Sequence, residues 1–260
     1  MIPNGNTKKV RVHILENGEV WQVSLDSPKG NILDAVMTAE LTEIFEEAAK
    51  AQDLKAIVLT AEGEHFCFGA SVQEHQPEQV AGMLVGVHRL FRTIAASGVP
   101  VVAAVRGFCL GGGLEVAAFC QRIFAHSGSS YGQPEILLGV FAPVGSAILA
   151  DRMGRGGADD LLITGRTVQA DEALRMGLVD ELCEDPEASA LAWVREYLLP
   201  RSASSLRIAT RAARHEFNQR FDRNVQELER SYLETLMATQ DAKEGITAFL
   251  EKRKPNWTNG

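Results

Sequence analysis

An α/β fold is what this sequence predicts, and three features carry the prediction. The run Val99-Pro100-Val101-Val102-Ala103-Ala104-Val105 is short, continuous and rich in β-branched residues, as a strand buried on both faces would be. It leads at once into Gly107-Phe108-Cys109-Leu110-Gly111-Gly112-Gly113-Leu114-Glu115 and a second apolar run, Val116 to Phe119, so a strand, a glycine-rich turn and a helix start follow one another. Strand-like segments are confined to the first two-thirds of the chain, and helical patterning dominates the last third. The 260 residues allow one large domain, or a domain with an extension. A boundary near residue 200 separates a strand-rich core, 1–200, from a helical region, 201–260.

Taken in order, Val10–Ile14 and Val20–Leu25 flank Asn17-Gly18, a hairpin signal. Asp26 to Asn31 is loop chemistry, with Lys29 either a solvated side chain or a phosphate contact. Asp34 is an N-cap for a helix to Ala51 whose buried face would carry Val36, Leu41, Ile44, Phe45 and Ala48. Lys55–Thr60 reads as a buried strand, ending in a glycine-containing loop, Ala61 to Val72. His65 and His75 fit no metal-ligand spacing and read as ordinary polar residues. Pro77–Ala96 is a second long helix, and Cys120–His126 another strand. Beyond Gly145 short helices are expected to Met176, with turns at Thr164-Gly165-Arg166-Thr167 and at Gly177 to Asp180 before a short strand. From Pro186 to Leu250 the pattern is helical, with breaks near Pro200 and at Asp241.

The central glycines carry the chemistry. They let the backbone turn sharply and approach a ligand, and the helix that follows presents free N–H groups at a positive dipole end. Such a place suits a phosphate or a developing oxyanion. Glu115, in the first turn, lies near whatever those amides hold. A packing turn with a helix-stabilising glutamate would look the same, and neither the P-loop nor the dinucleotide-binding spacing is present. Glu135 lies among apolar residues in Tyr131 to Phe141. It is either a cap or surface residue, or a carboxyl group whose raised pKa suits acid–base work.

The net charge of −8 disfavours a nucleic-acid partner, and no apolar run reaches membrane-spanning length. Met1 to Lys9 is polar, without the apolar core of a signal peptide. Cys67, Cys109, Cys120 and Cys183 show no paired spacing and read as reduced, mostly buried thiols of a cytoplasmic protein.

Four segments together, Phe66 to Ala70, Leu110 to Glu115, Gly132 to Gly139 and Gly245 to Arg253, resemble the crotonase (enoyl-CoA hydratase/isomerase) superfamily, in order and over nearly the whole chain. The resemblance implies a crotonase-like spiral of ββα units with a C-terminal helical trimerisation region, as homotrimer or homohexamer (a dimer of trimers). It implies an acyl-CoA substrate, with no metal and no cofactor beyond the coenzyme A of the substrate itself. By motif, the oxyanion amides fall on Ala70 and Gly112, and the two catalytic glutamates on Glu115 and Glu135. Lys29, Gly69, Ser71, Val72, Gly111, Phe141 and Pro143 become candidate substrate contacts. The sequence departs from the superfamily pattern at Ser71, where Asp is common, and at Val140-Phe141-Ala142-Pro143, where a Pro-Gly-rich loop is common. With Gly69 to His75, that segment resembles the hydratases of cyclic dienoyl-CoA thioesters in aromatic degradation. A linear enoyl-CoA hydratase, an isomerase, a hydrolase and a non-catalytic acyl-CoA-binding subunit are the alternatives; the retained glutamate pair argues against the last.

Overall fold

The computed structural model describes residues 8–27 and 29–260; the polar Met1–Thr7 stretch and Pro28 of the first loop lie outside the described residues. Strand β1 (Val10–Leu15) turns through Glu16–Gly18 into β2 (Val20–Leu25), and the two pair antiparallel. Parallel strands β3 (Ala56–Ala61) and β4 (Val101–Val105) continue the sheet. Two further strands complete it, here called β6 (Arg122–His126) and β9 (Glu181–Cys183), in the order β1-β2-β3-β4-β6-β9. A second sheet consists of β5 (Phe108–Leu110), β7 (Ser130–Gly132) and β8 (Thr167–Gln169), in that order.

The two-residue period of a strand explains how the large sheet is covered. Ile57, Leu59, Val101, Ala103 and Val105 point to one face, against helices α1 (Ala35–Lys50) and α2 (Val80–Ser97). Ala56, Val58, Val102 and Ala104 point to the other, against Ala190, Val194 and Leu198 on or just beyond α6 (Pro186–Tyr197). Strands covered on both faces must be apolar throughout, which is why Val101 to Val105 reads as one continuous run.

The spiral is built from repeated strand, short strand, helix units. β4 is followed by β5 and α3 (Gly112–Phe119), and β6 by β7 and α4 (Pro143–Thr164). In the earlier units the short strand is reduced to a single bridge: Leu33 pairs with Ala70 before α1, and Cys67 pairs with Cys109 before α2. These bridges form the inner layer from which the site is made.

Several expectations need correcting. Val36 is exposed; Met37 occupies the buried stripe with Leu41, Ile44, Phe45 and Ala48, set by the Asp34 cap on Met37 N–H (3.0 Å). The segment read as Cys120–His126 becomes a strand only at Arg122, because Cys120 caps α3. Strands β5, β7 and β8 were not anticipated; three residues are too few for a two-residue period to register. The short helices expected after Gly145 are one α4 of 22 residues, kinked at Gly154, followed by α5 (Ala170–Arg175).

The helical last third contains α7 (Ala203–Ala213), α8 (His215–Arg230), a π turn (Ser231–Thr235), a 3-10 turn (Leu236–Ala238) and α9 (Gln240–Leu250). The break expected at Asp241 falls at Thr239, which caps α9; Asp241 lies within it. Phe221 and Val225 of α8 belong to the main core, and Arg207 of α7 anchors the segment. Its buried guanidinium donates to the carbonyls of Ser97 and Ala48 (both 3.0 Å) and of Ala51, which the ends of α2 and α1 leave without helical partners. Arg207→Met should lower the unfolding free energy by roughly 1–3 kcal/mol. The check is a lower urea midpoint at unchanged slope; an unchanged midpoint would mean that water replaces the guanidinium at no cost.

Candidate active site

The site forms where the 66–71 loop runs beside β5. Cys67 N–H donates to Phe108 O (3.0 Å), and Leu110 N–H donates back to Cys67 O (2.9 Å). On its other side the loop pairs with Leu33, whose N–H donates to Gly69 O (2.9 Å) and whose carbonyl accepts from Ser71 N–H (3.3 Å). This pairing turns the amide of Ala70 away from Leu33, with no backbone acceptor among the described residues. Gly112 is the first residue of α3, whose first internal bond runs from Glu115 N–H to Gly111 O (3.0 Å), so its amide is free as well. The two amides are neighbours: a Cβ on Gly112 would sit 3.3 Å from Ala70 N.

Gly111 admits no other residue. Its φ is +52°, a conformation that side chains rarely adopt, and a Cβ there would lie 2.7 Å from the Glu135 carboxylate. Glu135 sits in a 3-10 turn, Pro134–Leu138, that closes on Gly139. This turn is docked from behind by α9, where a Cβ at Gly245 would fall 2.1 Å from Leu138 O. Two of the motifs singled out in the sequence are therefore in backbone contact, one supporting the other.

A cavity of about 410 Å³ opens in front of these groups, lined by Phe68, Gly69, Ala70, Gly111, Glu135 and Phe249, among others. Behind it lies a chamber of about 30 Å³, with room for one or two water molecules. Ala70, Gly112, Glu115, Glu135, Phe141 and Pro143 line the chamber, and Ala70 and Glu135 face both spaces. Val72 lines the outer cavity. Ser71 is buried, its carbonyl accepting from His75 Nδ1 (2.8 Å). Lys29 is exposed in a separate surface hollow with Asp26, Glu62 and Glu64, which shares Phe68 with the main cavity.

Glu115 is 6% exposed, and its Oε1 accepts from Gly145 N–H at 2.6 Å, at the start of α4. Burial pushes its carboxyl up from 4.5 to about 7, against the opposing pull of that amide. Glu135 accepts from Gln133 Nε2 (3.2 Å), while its Oε2 is enclosed without a partner. Burial first, and the nearby Glu115 charge second, push Glu135 up to about 8. The two carboxyls titrate as a pair, sharing protons, with both held above the ordinary carboxylate range. The amide on Glu115 favours the charge there and the proton on Glu135.

Four cavity residues were not predicted as site residues, although His75 is read from the sequence as an ordinary polar residue and Arg253 closes the Gly245–Arg253 motif. His75 lines both spaces, and His88 and Tyr232 line the chamber. Arg253, held by Glu244 and Glu251, edges the outer cavity. His88 left a readable trace of another kind: with Leu84 and Phe91 it stands at helical spacing on the buried stripe of α2.

Comparison with known proteins bears on the family and the fold. A family model described as enoyl-CoA hydratase/isomerase matches residues 16–260. A cyclohexa-1,5-dienecarbonyl-CoA hydratase of Thauera aromatica is 49% identical over 96% of this chain and 97% of its own. A short-chain-enoyl-CoA hydratase of Clostridium acetobutylicum is 32% identical over 93% of this chain and 95% of its own. The crystal structure of an enoyl-CoA hydratase from Mycobacterium avium superposes with a TM-score of 0.85 at 27% identity, over 96% of this chain and 99% of the other.

The raised carboxyl of Glu135 has a measurable consequence for stability. The folded protein holds this proton up to about pH 8, whereas the unfolded chain releases it near 4.5. Ionisation therefore opposes folding, and the penalty grows from about pH 4.5 to about pH 8. Glu135→Gln should match the wild-type melting temperature at pH 4.5 and exceed it at pH 8.5. A thermal-melt series showing the same gap at both pH values would mean the carboxyl is not perturbed.

Proposed function

Because the chain belongs to the enoyl-CoA hydratase/isomerase family, we propose that its cavity binds an acyl-CoA thioester and adds water to it, with a cyclic dienoyl-CoA as the substrate. The observation that carries this reading is the convergence, on one small chamber, of two free amides and two buried carboxyls with opposing proton preferences. The 49% identity to a cyclohexa-1,5-dienecarbonyl-CoA hydratase supports the choice of ring, as does the apolar wall of Phe141, Ala142 and Pro143.

In this reading the Ala70 and Gly112 amides hold the thioester oxygen and take up the charge that develops on it; one such donor is typically worth about 3–4 kcal/mol of transition-state stabilisation. Glu115, the member more often ionised, removes a proton from the water while the oxygen bonds the ring carbon β to the carbonyl. The displaced electron pair spreads over the thioester oxygen and the second double bond. Glu135 gives its proton to the far end of that second double bond, which moves into conjugation with the thioester. The product is a hydroxylated ring that is still an enoyl thioester, and the proton taken up by Glu115 restores the shared one. No metal or organic cofactor enters these steps, because coenzyme A is part of the substrate.

Charged pairs and exposed apolar residues bear on the setting. Ile163 and Ile208 are 70% and 67% exposed, and Phe249 is 54% exposed at the mouth of the cavity. Apolar surface of this kind favours association, and we read the protein as a homotrimer or a dimer of trimers. Light scattering should show at least three copies of the 28.3 kDa chain at micromolar concentration; the mass of one chain would overturn the assembly reading. Four free cysteines, three of them buried, fit a reducing, cytoplasmic compartment. Among the described residues no helix is long and apolar enough to cross a membrane.

Glu115→Gln and Glu135→Gln should each reduce kcat by about 10²–10⁴-fold and leave acyl-CoA binding within a few-fold of wild type. Near wild-type turnover in either variant would exclude the two-carboxyl mechanism. The ratio of kcat/KM for cyclohexa-1,5-diene-1-carbonyl-CoA over crotonyl-CoA should exceed one; a ratio below one would point to a linear enoyl-CoA substrate and leave the hydratase chemistry standing.

A further inference from the structure

The inner chamber contains polar groups that the steps above do not use. His88, on α2, has no exposed surface, and its Nδ1 lies 2.5 Å from Glu229 Oε2 on α8. Burial presses the imidazole toward its neutral form, against the pull of the carboxylate. A carboxylate accepts, so Nδ1 carries the proton and Nε2 is a bare lone pair. That Nε2 is buried and has no partner. The Tyr232 hydroxyl is likewise buried without a partner. Tyr232 stands in the π turn Ser231–Thr235, and its ring packs 5.2 Å from that of Phe141. An extra residue in a helical ladder re-aims the side chain it carries, and such turns recur at functional sites.

Two residues that each hold an unpaired buried polar atom, an acceptor on His88 and a hydroxyl on Tyr232, therefore line the space bounded by Glu115 and Glu135. Buried polar atoms are seldom left unpaired, and a chamber of about 30 Å³ has room for the oxygen that would pair them. We propose that His88 Nε2, held in register by Glu229 and flanked by the Tyr232 hydroxyl, accepts a hydrogen bond from the hydroxyl group of the hydrated acyl chain. His88 is then a specificity-determining residue, separating hydroxyacyl thioesters from their deoxy counterparts, and Glu229 is a positioning residue that fixes the tautomer. His75 also borders the chamber, with Nδ1 committed to Ser71 O. It lies at the neck between the two spaces, where it meets an acyl group with or without a hydroxyl.

The inference rests on the acyl-CoA reading of the cavity, so its test reads binding and not turnover. Two ligand pairs are compared by calorimetry in the Glu135→Gln background, which silences chemistry: 2-hydroxycyclohexanecarbonyl-CoA against cyclohexanecarbonyl-CoA, and 3-hydroxybutyryl-CoA against butyryl-CoA. With His88 in place, the hydroxylated member of at least one pair should bind about tenfold more tightly, the effect of one hydrogen bond. His88→Phe should bring that ratio to about one while the deoxy member keeps its Kd within about twofold. His88→Gln, which restores an acceptor at the same reach, should recover part of it. Glu229→Gln leaves the chamber lining untouched but lets an amide donate to Nδ1, turning Nε2 into a donor, and should lower the ratio as well. A ratio near one with His88 present, a ratio that survives His88→Phe, or a ratio erased by His75→Phe instead would overturn the proposal alone. Failure of every thioester to bind would overturn the acyl-CoA reading with it.

Discussion

The structure depends most on the short stretch of strand-like pairing between the 66–71 loop and β5. Two hydrogen bonds, Cys67 N–H to Phe108 O and Leu110 N–H to Cys67 O, fix two chain segments some forty residues apart in sequence. With them in place, the free amide of Ala70 and the free amide of Gly112 stand side by side, although neither segment alone has a donor pair to offer. A buried N–H without an acceptor is normally avoided. Here two adjacent amides, those of half-buried Ala70 and buried Gly112, are left without a backbone acceptor among the described residues, and the sheet and the Leu33 pairing hold the backbone on both sides.

The carboxyl pair repeats this logic in side chains. Glu115 is placed by the first turn of α3 and secured by one amide from α4, and Glu135 by a 3-10 turn resting on α9. Among the described residues neither has a cationic partner, and burial raises both pKa values. An arginine beside them would have stabilised the fold and removed the shared proton. The cost in stability and the capacity for acid–base work come from the same absence of countercharge.

Much of this was legible in the sequence, for identifiable reasons. The strand Val101–Val105 is covered on both faces, so its composition alone betrays it. Gly111 sits at a turn whose positive φ suits glycine, Gly112 lies close against the Ala70 amide, and the four spaced motifs tie that turn to both glutamates. What could not be read were contacts without periodicity. β5, β7 and β8 are three residues each, and two bridges of the inner layer are one residue each. The pairing of His88 with Glu229 spans 141 positions, and Tyr232 depends on a π turn that no local propensity announces. The kink at Gly154, with φ +77° and open space around it, leaves α4 continuous in pattern but bent in space.

The docking of α9 on the 134–139 turn also sets an order of events. Leu138 O and the α carbon of Gly245 meet so closely that the far wall of the cavity, with Phe249 and Arg253, exists only once that helix is seated. On a ribosome, Ala70 emerges about 180 residues before Phe249, an interval of roughly 10–40 s at common elongation rates. During that time the free amides of Ala70 and Gly112 and the Glu115 carboxyl can be in place, while the turn that carries Glu135 still lacks the support of α9 and the pocket is open to water. A nascent chain would thus acquire its paired amides before its enclosure, and the apolar floor of the unfinished cavity is the surface that a chaperone would meet.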